Sequence, residues 1–353
     1  MRLVELRARK PPTQGPVLVD RLDRRVRYLR VSLTDRCNLR CTYCMPEEGI
    51  DHNARADLLT LEEIVRMVGA FAAWGVDRVR LTGGEPTLRR NLVWLIESLV
   101  ALRTSEGRAL EVVMTTNGER LPDLAKPLRE AGLHGLTVSL DSLDPERYTT
   151  ITRRGRLDRC VAGIEAARAA GFTRIKLNTV AVQGFNHDEL AGLCRFAWSH
   201  DATPRFIELM PMSGGRLFVP GELLPAAQIR SSLGEALGGE LVPDPGEGIR
   251  GHGPATYFRV QGGPDEGRRI GTIAAMTENF CASCNRLRVS ATGQLHACLA
   301  RDDAGDLRAA LRSDAPERLE QVVRAALGDK RDSHAFELDG RGGPNKAMIS
   351  IGG

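Results

Sequence analysis

Between residues 27 and 210, short β-branched runs alternate with longer segments that carry apolar residues on one helical face. Strands are expected at 28–33, 78–81, 111–115, 136–140, 174–182 and 205–210. The intervening helices are expected at 61–74, about 90–102, 123–131, 158–170 and 188–198. In the first helix Leu61, Ile64, Val65, Val68 and Phe71 share a face, and Thr60 stands three residues before Glu63, a capping-box spacing. Six strands separated by five helices are the signature of a parallel sheet, because each parallel pair needs a crossover. The pattern by itself fits an open doubly wound sheet or an α/β barrel.

Position favours the barrel. Parallel α/β folds gather ligand chemistry where their strands end, and the unusual residues fall there. Cys37, Cys41 and Cys44 follow the first strand, Thr82-Gly83-Gly84-Glu85-Pro86 the second and Thr115-Thr116-Asn117-Gly118 the third. The fourth delivers Ser139 and Asp141, the fifth carries Lys176 and Asn178, and the sixth carries Arg205, Glu208 and Met210. Small polar residues at every strand end are expected to form one rim facing a single site. From 211 to 225 Gly and Pro accumulate, a linker into a second region. One helix and two or three strands are expected within 226–275, with candidates at 256–260 and 269–275. Thr292-Gly293 reads as a hairpin turn between strands at 286–290 and 294–299, and two helices separated by Pro316 follow. The expected division is a basic arm over 1–20, a barrel over 21–215, a smaller α+β region over 216–345 and a tail over 346–353.

Composition narrows the class. Of 353 residues 42% are hydrophobic and 27% charged, the balance of a globular protein. No apolar leader opens the chain and no run approaches the roughly 20 apolar residues of a membrane span, so a cytoplasmic location is expected. The net charge is only +4, with +7 concentrated in residues 1–40, which gives little reason to expect a nucleic-acid partner. Arginine outnumbers lysine by 44 to 5, so a single Arg says little about ligands while an internal Lys is informative. Lys176, inside an apolar run, is costly to bury unless a strong anion pairs with it. No Gly-x4-Gly-Lys-Ser/Thr loop occurs, which excludes a P-loop GTPase.

Eight cysteines are too many to dismiss and too sparse for a disulfide scaffold; reduced, they point to metal or redox chemistry. Six form two triplets. Cys37-x3-Cys41-x2-Cys44 lacks the fourth ligand of a structural zinc site unless His52 joins it. On an iron–sulfur cluster three thiolates leave one iron open for a substrate. Cys281-x2-Cys284-x13-Cys298 is either a second such set or, with His296, a zinc ribbon. Cys160 and Cys194 fall in expected helices and read as small buried hydrophobes.

The run Thr34-Asp35-Arg36-Cys37-Asn38-Leu39-Arg40-Cys41-Thr42-Tyr43-Cys44-Met45-Pro46 resembles the signature of the radical S-adenosylmethionine (SAM) superfamily. Gly83-Gly84-Glu85-Pro86 resembles its SAM-binding turn. The run Asn279-Phe280-Cys281-Ala282-Ser283-Cys284-Asn285-Arg286-Leu287-Arg288, with the Gly-Gly terminus, is similar to one family within it, GTP 3′,8-cyclase. That family opens molybdenum-cofactor biosynthesis, and the likeness covers about residues 20–353.

The resemblance implies an α/β fold: a partial (β/α)6 TIM-like barrel, and a smaller C-terminal α+β region carrying a second iron–sulfur cluster. It implies two [4Fe–4S] clusters, on Cys37, Cys41 and Cys44 and on Cys281, Cys284 and Cys298. SAM would meet Tyr43, Gly84, Ser139 and Met210. GTP would meet Arg30, Arg80, Thr115, Lys176, Arg286, Leu287 and Arg288, with Arg205 as a further candidate. Arg30, Gly352 and Gly353 would have catalytic parts. In such a lyase one electron cleaves SAM to a 5′-deoxyadenosyl radical, which takes the 3′ hydrogen of GTP. The C3′ radical then attacks C8, leading to 3′,8-cyclo-7,8-dihydro-GTP, the precursor of cyclic pyranopterin monophosphate. The implied partners are an electron donor of unspecified identity, the cyclic pyranopterin monophosphate synthase that takes the product, and a second copy in a homodimer. Two stretches depart from the family wording: Asn345-Lys346-Ala347-Met348, and Arg153-Arg154 where a Gly is common.

Overall fold

The computed structural model describes residues 17–244 and 253–351. Its barrel strands are β1 (Tyr28–Ser32), β2 (Arg78–Thr82), β3 (Glu111–Thr116), β4 (Gly135–Ser139), β5 (Ile175–Ala181) and β6 (Ala202–Glu208). Between them run α1 (Leu61–Ala73), α2 (Leu92–Val100), α3 (Leu121–Glu130), α4 (Pro145–Thr152), α5 (Leu157–Ala169) and α6 (Leu190–Ser199). The Thr60–Glu63 capping box starts α1: the Thr60 hydroxyl accepts from Glu63 N–H at 3.1 Å, and the Glu63 carboxylate accepts from Thr60 N–H at 2.8 Å.

Two elements differ from expectation. The Thr-rich segment of α4 has little apolar periodicity; its caps make the helix. Asp144 accepts from Glu146 and Arg147 N–H groups, both at 2.9 Å, and Pro145 occupies the first turn. β6 begins three residues early, at Ala202, and ends at Glu208, so Met210 lies beyond the strand. Pro204 reads as a strand breaker, yet it pairs with Leu177 inside the sheet.

The remaining elements are α7 (Ala226–Leu237), β7 (Glu240–Pro243), β8 (Thr256–Gln261), β9 (Arg269–Ile273), β10 (Arg286–Val289), β11 (Gln294–His296), β12 (Gly305–Asp306), α8 (Leu307–Leu311) and α9 (Glu317–Asp329). Their strands join the barrel sheet, whose order is β12-β11-β10-β1-β2-β3-β4-β5-β6-β9-β8-β7. β10 lies parallel to β1 and β9 parallel to β6, so eight parallel strands stand in a row. Antiparallel strands extend both edges, and β12 and β7 do not pair with each other. The ring is therefore a partial barrel, and the C-terminal region completes both of its edges.

Outward residues of the strands, such as Leu29, Val79, Val112 and Val138, pack with Ile64, Phe71, Leu95, Leu128 and Ile164 of the helices. Cys160 and Cys194 lie in that core with no exposed surface, as expected. Many inward residues are polar, such as Asn178 on β5, which alternates with buried Leu177 and Thr179. No helix among the described residues is long and apolar enough to cross a membrane.

At the N-terminal rim, Arg78 grips Glu111 through two nitrogens, at 2.6 and 2.7 Å, and Arg174 adds a third contact. Burial would raise the Glu111 carboxyl, but Arg78 and Arg174 bring it from 4.5 to about 2. A depressed carboxylate contributes fully above its ordinary value and loses its contribution as the pH falls through its folded one. Glu111→Gln should lower unfolding free energy at neutral pH by about 3 kcal/mol. It should also flatten the loss of Tm between about pH 5 and pH 2. Equal Tm values for variant and wild type at neutral pH would contradict this.

Candidate active site

The first cysteine loop is held on two sides. Arg40 and Thr42 donate backbone N–H groups to Thr152 and Ile151 carbonyls, at 3.0 and 2.9 Å, at the end of α4. Arg153 follows at φ 58°, in the left-handed region, and its guanidinium donates to the carbonyls of Arg40 and Met45, both at 3.2 Å. That backbone conformation costs a non-glycine residue roughly 1–2 kcal/mol, but a glycine could not brace the loop in this way.

From the other side, Gly84 N–H reaches Thr34 O at 2.7 Å and Glu85 N–H reaches Arg36 O at 2.8 Å. A Cβ on Gly84 would stand 2.2 Å from Arg36 O, so the contact between the two loops itself requires glycine. The Glu85 carboxylate accepts from Thr87 N–H, the Thr87 and Thr116 hydroxyls and Asn117 N–H, at 2.7–3.1 Å. It thereby ties the ends of β2 and β3 together. Burial pushes the thiols of Cys37 and Cys44 up to about 11 and about 12, and Cys41 well above its ordinary value. Beside them the Tyr43 hydroxyl donates to Asp141 at 2.7 Å, and burial raises that carboxyl to about 6.

The second triplet lies at the other end of the ring. Cys281 and Cys284 precede β10, and Cys298 follows β11, which runs antiparallel to it. Since β10 is parallel to β1, these three stand by the N-terminal ends of the strands. Cys37, Cys41 and Cys44 follow the C-terminal end of β1. The second triplet, in the C-terminal region, thus faces the cavity from the end opposite the strand-end rim, and the cavity runs through the barrel from one end to the other. Burial would raise the Cys284 thiol, but Arg286 and Lys330 bring it down to about 6.

Neither zinc arrangement forms. His296 faces the carbonyl of Asp303 at 3.1 Å and does not line the cavity, while His52 stands 3.8 Å from Asp35. Among the described residues no three His, Cys, Asp or Glu side chains gather around a single metal ion. A cluster differs from a single ion in that its thiolates bind different irons. Two sets of three thiols facing one cavity are suitable donors for that chemistry.

Between the triplets the interior is cationic. Register places Arg30 beside Arg80 on one side and Arg288 on the other. Arg80 donates to the Tyr28 hydroxyl, to Thr115 at 2.8 Å and to Thr137 at 2.9 Å. Arg205 donates to Asn178 at 2.9 Å and to the same Thr137 hydroxyl at 3.2 Å. Neutral oxygens do here what carboxylates usually do, and among the described residues no carboxylate pairs with Arg80 or Arg205. Burial, then Arg288 and Arg80, hold Arg30 well below its ordinary range; burial and Arg286 bring Arg288 to about 10. Lys176 falls to about 6 through burial, Arg205 and Arg80, and it makes no hydrogen bond or ion pair among the described residues. Buried cations that depress one another suit a polyanion.

One cavity of about 310 Å³ is lined by both triplets, by Arg30, Arg80, Arg205, Arg286, Arg288 and Thr115, and by Tyr43, Gly84, Ser139 and Met210. Two expected residues stay off its wall. Lys176 lies on β5 opposite Thr137 and Thr203, and the Leu287 side chain is fully buried in the outer core. Sequence reading placed Asp141 on the strand-end rim without assigning it a ligand, noted Arg153 only as a departure, and missed Lys330 and the tail residue Ile349, which packs near Met45 beside Cys37 and Cys44. Of the two missed, Lys330 carried a signal as one of five lysines. Gly352 and Gly353 lie outside the described residues.

Residues 31–197 match the model of the radical SAM superfamily, and residues 202–336 that of Molybdenum Cofactor Synthesis C. The GTP 3′,8-cyclase of Nitrobacter winogradskyi is 43% identical over 330 residues, 93% of each chain. That of Streptomyces coelicolor is 43% identical over 339 residues, 96% of each chain. In fold alone, the structure of Streptococcus suis SuiB bound to precursor peptide SuiA is similar. It has a TM-score of 0.50 and 18% identity, and the match covers 63% of this chain and 46% of that one. With two such relatives matched nearly end to end, the chain belongs to the GTP 3′,8-cyclase family of the radical SAM superfamily.

Proposed function

We propose that this chain cyclises GTP to (8S)-3′,8-cyclo-7,8-dihydroguanosine 5′-triphosphate, the first step of molybdenum-cofactor biosynthesis. The observation that carries this reading is the single cavity with a cysteine triplet at each end and a cationic wall between them. Cys37, Cys41 and Cys44 would hold one [4Fe–4S] cluster and Cys281, Cys284 and Cys298 another. When bound, the first cluster and SAM supply the one-electron chemistry that generates a radical at the 3′ carbon of GTP.

The chain's own residues bind and orient. Tyr43, Gly84, Ser139 and Met210 line the cavity around the first triplet's end and are assigned to SAM. Arg30, Arg80, Arg205, Arg286 and Arg288 are assigned to GTP, where planar forks can donate in pairs to phosphate oxygens. Thr115 and Thr137 hold the Arg80 fork in place. Lys176, one layer below the wall, would regain its proton and its charge beside a bound triphosphate, and Leu287 acts through the strand that carries its two arginine neighbours. Arg30 is assigned electrostatic positioning. A substrate held this way presents one C–H bond to the reacting end and keeps the others away. We assign 21–215 to the barrel unit, 216–345 to the second-cluster region and 346–353 to a tail, whose Met348 and Ile349 line the cavity, and Gly352 and Gly353 are assigned a catalytic part. A cytoplasmic homodimer, an external electron donor and transfer of product to the cyclic pyranopterin monophosphate synthase complete the proposal.

Anaerobic purification should yield roughly eight iron and eight sulfide per chain. Incubation with SAM, a reductant and GTP should release 5′-deoxyadenosine; stoichiometric zinc without iron, or release only with a peptide, would end the reading. Arg205→Gln should weaken GTP binding about 10- to 100-fold in equilibrium dialysis, the loss of one charge-assisted contact. Iron content should not change. Unaltered affinity would remove Arg205 from the substrate site.

A further inference from the structure

α9 ends at Asp329, and the next residue, Lys330, turns its side chain beneath β10. It is 6% exposed. An ammonium has three donors and no acceptor, and all three are used. Lys330 Nζ reaches Cys284 Sγ at 3.5 Å, Arg286 O at 2.9 Å and Ala297 O at 2.7 Å. These acceptors belong to three segments: the cysteine turn, β10, and the residue between β11 and Cys298. Among the described residues no carboxylate pairs with the ammonium. Burying such a group is costly, and the charge nearest to offset it is that of a thiolate at Cys284.

The following residue tightens the same place. Arg331 O accepts from Arg24 at 2.7 Å, and another nitrogen of Arg24 reaches Cys281 O, also at 2.7 Å. Arg24 is itself fixed by Asp20 at 2.6 Å. The segment after α9 is thus fastened to the turn that carries Cys281 and Cys284.

We infer that Lys330 is the charged positioning residue of the second triplet, fixing Cys284 and the approach to Cys298 and setting a positive charge against a ligating sulfur. The inference rests on the reading that Cys281, Cys284 and Cys298 hold an iron–sulfur cluster. A compact ammonium on a flexible stem meets three acceptors converging from different directions, and a guanidinium there would keep the charge beside Cys284 while giving up part of that geometry. That explains a lysine here in a chain with 44 arginines and 5 lysines. A cation hydrogen-bonded to a cluster sulfur favours the reduced, more negative cluster and raises its potential.

The test uses the full chain, reconstituted anaerobically, as wild type, Lys330→Gln, Lys330→Met and Lys330→Arg. Iron analysis of the wild type comes first: about four iron per chain instead of about eight would refute the two-cluster reading, and the inference with it. With eight present, redox titration followed by electron paramagnetic resonance should show the second cluster at lower potential in Lys330→Gln and Lys330→Met. The first cluster, identified by its response to SAM, should keep its potential. Unchanged potentials, or equal shifts in both clusters, overturn the inference while the two-cluster reading stands. If the neutral variants lose the second cluster, Lys330→Arg decides. Eight iron at the wild-type potential supports the charge; a lowered potential, or loss of the cluster there too, overturns it.

Discussion

Repulsion between buried cations is the constraint around which this barrel is built. Arg30, Arg80 and Arg288 stand on adjacent parallel strands in matching register, and Arg205 shares a hydroxyl with Arg80. At the effective dielectric of a protein, each neighbouring pair costs on the order of a few kcal/mol. The fold carries that cost with an apolar outer core, a bidentate acid at the lower rim and neutral acceptors within. Tyr28 shows the field directly: burial would raise its phenol, yet Arg80, Arg30 and Arg78 bring it to about 8. An interior arranged in this way is complementary to an anion.

The same parallel register separates the two cysteine sets. In a parallel sheet, the loops entering the strands gather at one end and the loops leaving them at the other. The first triplet sits in the loop leaving β1, and Cys281 and Cys284 sit in the turn entering β10, its neighbour. Pairing these two strands is therefore enough to put the sets at opposite ends of one cavity. The glycine contact at Arg36 and the Arg153 brace fix the upper loop, while Arg24 and Lys330 fix the lower turn.

Much of this was legible in the sequence, because periodicity and capping are local. The α1 face, its Thr60–Glu63 box and the burial of Cys160 and Cys194 could all be read from neighbours in the chain. The features that could not be read depend on partners far apart. Tyr43 meets Asp141 across 98 residues, and no local pattern announces such a pair. The place of the second triplet depends on β10 choosing the edge beside β1, a choice that strand propensity does not encode. Likewise the family resemblance implies contacts for Lys176 and Leu287, while strand alternation turns Leu287 outward and puts Lys176 one layer below the wall.

The β1–β10 pairing also bears on how the chain is made. Tyr28 pairs with Arg286, so β1 waits for a segment about 250 residues later in the chain before its outer edge is covered. Contacts this distant form slowly, and an uncovered strand edge invites association with other chains. During synthesis, therefore, the six central strands can assemble while both flanks of the sheet stay bare. The last strands then act as the closing seam, and the lower cysteine turn becomes whole only when the seam is drawn shut.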